Sequence, residues 1–80
     1  MVLYRLSEVD VGHIRDTAKA RQLWQNDYQY GQICPMVVTR SWSHGLVNGK
    51  LLLDADFDLV VTSRHEGEGH GQWHLKTWGQ

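Results

Sequence analysis

The sequence predicts an α+β chain, mainly β: a small sheet or SH3-like barrel of about five short strands, with one helix inserted after the first strand. Three observations carry this expectation. Runs rich in β-branched and aromatic residues recur from residue 33 onward, separated by turn residues about every 8–12 positions. One helix-start signature, Ser7-Glu8-Val9-Asp10, precedes a stretch without proline. Eighty residues with one proline, eight glycines and no low-complexity tract describe one folded domain, 1–80, rather than a disordered tail.

Each element has its own reason. Val2-Leu3-Tyr4-Arg5-Leu6 is short, apolar and partly aromatic, which reads as a strand over 2–6. Ser7 then supplies an N-cap hydroxyl and Asp10 stands where a capping box has its acid, so a helix over 8–25 is expected, with Val11, Ile14 and Ala18 on one face. Residues 26–32 are polar, carry Tyr28 and Tyr30 and reach Gly31, the composition of a loop. The β half spans 33–78. Its first strand runs from Ile33 to Trp42, with Pro35 placing its start at an edge. Ser43-His44-Gly45 is a turn, and Leu46 to Leu53 a second strand. Asn48-Gly49 has the chemistry of a two-residue hairpin turn, but that turn would leave Leu46 and Val47 as a stub, so a continuous strand is preferred. Leu59 to Arg64 is a third strand, residues 66–71 a glycine-rich loop, and Gln72 to Lys76 the last strand.

Composition narrows the function classes. A chain this short buries only about 60% of its unfolded surface, so a partner subunit is a natural source of further burial. Cys34 is the single cysteine, which leaves no intrachain disulfide and suits a reducing cytosol. Eight basic against nine acidic residues give a net charge of −1, too little positive charge to hold long nucleic acid by phosphate neutralisation. No apolar run approaches the roughly 20 residues of a membrane span, and Met1 to Arg5 lack the layout of a signal peptide.

Several motifs fail on their chemistry. Asp54-Ala55-Asp56-Phe57-Asp58 begins like a calcium loop, but Leu59 and His65 stand where glycine and a bidentate acid are required. Gly67-Glu68-Gly69-His70-Gly71 has the wrong spacing for a phosphate loop and no helix after it, so it reads as a flexible hairpin tip. His65, His70 and His74 cluster without the tight pairing that zinc needs, and His44 lies elsewhere, so no metal and no cofactor are expected. Cys34, just before a β run, reads as a small buried hydrophobe rather than a nucleophile.

Aromatic and basic residues together give the best signal. Trp24, Trp42, Trp73 and Trp78 are many for this length. Arg40-Ser41-Trp42, Thr62-Ser63-Arg64 and Trp73-His74 all fall at strand ends. If those ends meet, indoles would stack on bases and arginines would clamp phosphate, a set that suits a small nucleotide. The competing reading makes Trp42 and Trp73 core or subunit-contact residues and the arginines surface pairs.

The order Val38-Thr39-Arg40-Ser41-Trp42, Val47-Asn48, Leu51-Leu52-Leu53-Asp54, Thr62-Ser63 and Gly71-Gln72-Trp73-His74 carries a resemblance. In it the stretch from Met36 to His74 resembles a group of small proteins encoded by tailed bacteriophages, which look like small β-barrels. The chain departs from that pattern in Asp54-Ala55 for the usual Asp-Gly, in Val60 where tryptophan is common, and in His70 where proline often precedes the glycine. The resemblance implies a phage protein acting in the cytoplasm of the host bacterium against its defences. Some such proteins are homo-oligomeric sponges for nucleotide messengers. The expectation is therefore a non-enzymatic protein that sequesters a cyclic or adenine-containing immune-signal nucleotide. Trp42 and Trp73 would stack on bases, Arg40 and Arg64 would hold phosphates, and Thr62, Ser63 and His74 would hydrogen-bond the rest. The alternative is a protein-binding inhibitor of a host enzyme or CRISPR effector, docking through the acids of the C-terminal half, where residues 41–80 hold three basic and five acidic groups.

Overall fold

The computed structural model describes residues 1–75; Trp78 and the end of the expected last strand, Lys76 included, lie outside them. The elements are β1 (Val2–Arg5), α1 (Glu8–Arg21), β2 (Ile33–Ser41), β3 (Val47–Leu51), β4 (Leu59–Arg64) and β5 (Trp73–His74). The strands form one five-stranded sheet in the order β4-β3-β2-β1-β5, antiparallel throughout. The α+β, mainly β expectation holds, in its sheet form: the strands do not close into a barrel. One parallel bridge, Glu66 to Trp73, ties the chain leaving β4 to the opposite edge strand.

The helix begins where the capping box places it. Ser7 Oγ accepts from the Asp10 amide at 3.1 Å, and Asp10 Oδ2 accepts from the Ser7 amide at 2.9 Å. Its end comes earlier than residue 25. Gln22 takes a left-handed conformation (φ 54°) and closes the helix, with its N–H turned back to Ala18 and Lys19 carbonyls. The chain beyond is captured by another segment: Gln25 bridges Ala55, and the Asp56 and Asn26 amides bond the Trp24 and Asp54 carbonyls. These tertiary bonds override the helix propensity of Leu23 to Gln25.

Val11, Ile14 and Ala18 of the helix pack with Val2, Tyr4, Leu6, Cys34, Met36, Val47, Leu51, Val61 and Trp73 of the sheet side. Tyr4, Leu6, Ile14, Met36 and Leu51 are sealed from solvent. Such side chains each contribute about 1.5–3 kcal/mol of transfer free energy, the main favourable term in so short a chain. Asn48-Gly49 lies within β3 and makes no turn. A Cβ on Gly49 would run into Met36 Sδ, so the glycine makes room for a core side chain of the neighbouring strand.

Residues 66–71 do not form a loose tip. The Gly71 amide bonds the Arg5 carbonyl at 2.7 Å, and Gly69 N–H donates to Gln72 Oε1 at 2.8 Å. Arg5 clips this loop to the 26–32 loop by donating to the Glu68 and Gly31 carbonyls, and Tyr30 stacks on His70 with ring centroids 4.1 Å apart.

Candidate functional site

Two β-bulges facing one asparagine organise the site. Along β2 the register runs Val38 to Gly49 and then Arg40 to Asn48, so Thr39 is the extra residue. Along β4 it runs Val61 to Gly49 and then Arg64 to Val47, so Thr62 and Ser63 together oppose Asn48. A bulge shifts the side-chain alternation by one, sending each later residue to the other face. By register Val38, Gly49 and Val61 share one side of the sheet; Gly49 and Val61 are buried there, while Val38 sits at its exposed margin. Without the bulge Arg40 would follow Met36 and Val38 toward the core; with it, Arg40 pairs with Asn48 on the outer face. The β4 bulge does the reverse, turning Arg64 inward beside buried Val47.

On the outer face Arg40 and Trp42 are joined. The guanidinium carbon lies 4.3 Å from the Trp42 ring centroid, a cation–π contact. Trp42 keeps 43% of its surface exposed. Its Nε1 donates to Asn48 Oδ1 at 3.2 Å, which fixes the ring's tilt. The same oxygen accepts the Ser63 amide at 2.8 Å. Ser63 has φ +55°, the left-handed conformation the bulge demands, and Asn48 takes up the N–H that the interrupted ladder leaves over. Thr62 is exposed beside it. Lys50 follows Asn48 by two along β3, pairs with Val37 and Val60, and shares this face. The outer face thus brings together an indole, a guanidinium, an ammonium, a carboxamide and a hydroxyl.

Arg64, expected at a phosphate, is held elsewhere. Its Nη2 donates to Asp10 Oδ1 at 3.1 Å, and Asp10 is fully buried. Asp10 Oδ2 also accepts the Tyr4 hydroxyl at 2.7 Å. Burial, then the hydrogen bond to Asp10, pushes the Tyr4 phenol well above its ordinary range. Trp73 is likewise inside: 9% exposed, its Nε1 shared between the Gly45 and Arg64 carbonyls at 2.9 and 3.2 Å. Its ring packs in the core rather than presenting a face to a ligand. His74 pairs with Leu3, which in turn faces Pro35, at the opposite end of β2 from Arg40. Of the seven expected residues, Arg40, Trp42, Thr62 and Ser63 form one surface group; Arg64 and Trp73 support it from beneath, and His74 is remote.

Asn48 and Lys50 are the residues that sequence reasoning left out. A signal was present: asparagine is disfavoured within strands, so one there needs a partner for its amide. The alternation of Val47, Gly49 and Leu51 as the inward set also places Asn48 and Lys50 outward. Other candidates have structural work. Asp56 Oδ2 accepts the Trp24 amide and Asp54 Oδ2 the Asn26 side chain, so two of the three acids in that turn hold the segment after the helix. Among the described residues no three His, Cys, Asp or Glu side chains gather as metal ligands. Cys34 is buried, and burial first, then the Asp10 charge, pushes its thiol up to about 12. A thiol held protonated there is a core atom and a poor nucleophile.

No helix among the described residues is long and apolar enough to cross a membrane. No protein-family model, no curated protein and no solved structure matches the chain.

Proposed function

We propose that the outer-face group binds a small nucleotide and sequesters it without cleavage, in the manner of a phage anti-defence protein acting in the host bacterial cytoplasm. The observation that carries this reading is the Arg40–Trp42 stack, half-exposed and anchored by Asn48. A guanidinium held over an exposed indole leaves ring surface for a third planar group, the base, while the guanidinium donors and Lys50 are free to meet phosphate oxygens. Thr62 offers a hydroxyl to the sugar or the base edge. The phage context rests on the order of sequence motifs, and a homo-oligomer would add the burial that so short a chain lacks.

The test is a thermal-shift and calorimetric screen against linear and cyclic nucleotides, with each bound ligand recovered after heat denaturation. Stabilisation, with the ligand returned intact, is expected. Arg40→Ala and Trp42→Ala should each weaken binding at least tenfold while the melting temperature of the free protein moves little, since both side chains are exposed. Unchanged affinity in both variants would overturn the site assignment. A hit returned cleaved would indicate an enzyme, and no hit at all would favour the protein-inhibitor alternative.

A further inference from the structure

We infer that Asn48 selects the base: the site takes nucleotides whose base edge offers carbonyl oxygen, guanine or uracil, over those that offer an amino group, adenine or cytosine. This inference rests on the nucleotide reading above and narrows its ligand.

A carboxamide ordinarily reads a base with both of its ends. An asparagine recognises adenine by accepting from N6 through Oδ1 and donating to N7 through Nδ2. Here the accepting end is already committed. Asn48 Oδ1 receives two N–H donors, the Ser63 amide at 2.8 Å and the Trp42 indole at 3.2 Å. Neither donor can accept a hydrogen bond, so the atom they share is the oxygen and the amide cannot flip without losing both contacts. The two donors occupy that oxygen's two lone pairs.

The other end, Nδ2, carries two N–H groups that the described hydrogen bonds leave unused, and it belongs to the residue directly opposite Arg40 on the same face. Toward a ligand, Asn48 can therefore only donate. Arg40 and Lys50 can only donate as well. A base lying against this group meets side-chain donors alone, apart from the Thr62 and Ser63 hydroxyls, which serve as either and so do not discriminate. Guanine answers with O6 and N7, both acceptors, and uracil with O4. Adenine and cytosine place an amino group at the equivalent position, donor against donor.

The experiment titrates the wild-type protein with two matched pairs by calorimetry: 3′,5′-cyclic GMP against cyclic AMP, and UMP against CMP. The oxo member of each pair is expected to bind about tenfold more tightly, the scale of one hydrogen bond gained and one donor clash avoided. Asn48→Asp keeps an acceptor for Ser63 and Trp42 but puts a carboxylate oxygen where Nδ2 stood. The added charge lowers all affinities, so the ratio within each pair is the readout, and it should fall to unity or invert. Equal or tighter binding of the amino members by the wild type would overturn the inference while leaving nucleotide binding intact. An unchanged ratio in Asn48→Asp would do the same. No binding by any of the four overturns both the inference and the parent reading. The wild-type ratios need no variant, so the inference can be refuted even where Asn48→Asp fails to fold.

Discussion

Replacing Asp10 by asparagine removes one charge and changes no shape, yet it should be among the most damaging single substitutions in the chain. The carboxylate is fully buried and faces three donors: the Tyr4 hydroxyl at 2.7 Å, the Ser7 amide at 2.9 Å and Arg64 Nη2 at 3.1 Å. An amide offers one oxygen to this set. If its nitrogen takes the Oδ1 position, it meets the Arg64 N–H; if it takes the Oδ2 position, it meets the Ser7 N–H. Either way a donor is left facing a donor, and Arg64 loses its counter-charge. Breaking a buried pair by removing one partner costs about 3–5 kcal/mol; because Arg64 keeps 29% side-chain exposure and can rehydrate, the lower end, about 3 kcal/mol, is expected. A chain of 80 residues has roughly 4–12 kcal/mol of total stability, so the loss is a large fraction of it. Urea unfolding followed by tryptophan fluorescence measures the change directly, and the melting temperature should fall by roughly 12–24 °C. Arg64→Met made in the Asp10→Asn background should cost less than in the wild type, because the pair is already broken. A loss below about 1 kcal/mol for Asp10→Asn, with additive effects in the double variant, would refute the view that this network holds the helix to β4.

Two further predictions concern the core. Gly49→Ala should destabilise by about 1–3 kcal/mol, because its Cβ collides with Met36 Sδ; in a Met36→Val background the same substitution should cost less, and an equal cost in both would remove the packing explanation. Stability should also fall as pH rises above 9, because the Cys34 thiol is pushed from its ordinary 9.0 up to about 12 in the folded chain. Between those values the unfolded chain binds fewer protons than the folded one, so this contribution is fully present below pH 9 and is lost at about 1.4 kcal/mol per unit. Tyr4, also raised, adds a loss of the same sign at higher pH. Urea midpoints between pH 8 and 10 should show a shallower slope in Cys34→Ala than in the wild type; identical slopes would contradict a buried neutral thiol.

What the sequence makes legible here is local. The capping box, the β-branched runs and the placing of Asn48-Gly49 within a strand each depend on neighbours within a few residues, and β4 falls where its pattern places it, Leu59–Arg64. Arg40 and Trp42, two apart, are recognisable as a pair for the same reason. The helix end was hidden because nothing near Gln22 marks a stop; the cause is capture of residues 24–26 by a turn about 30 positions away. Arg64 misled for a similar reason, since its partner Asp10 is 54 positions distant and a bulge reverses the face that simple alternation assigns. For Trp73 the sequence leaves a stacking ring and a core residue both open, and the structure takes the core one; the two carbonyl acceptors that decide it belong to other elements.

The position of β1 has a consequence for how the protein is made. Although first in the chain, this strand lies between β2 and β5, so Tyr4 is paired on one side with Cys34 and on the other with Trp73. The consecutive strands β2, β3 and β4 need only short loops to pair, and they can form as soon as they leave the ribosome. β1 must wait for β2, and its second edge stays open until residues some 70 positions later have been synthesised. Closing contacts over such separations is slow compared with forming hairpins, so completion of the sheet by β5 is expected to limit the folding rate.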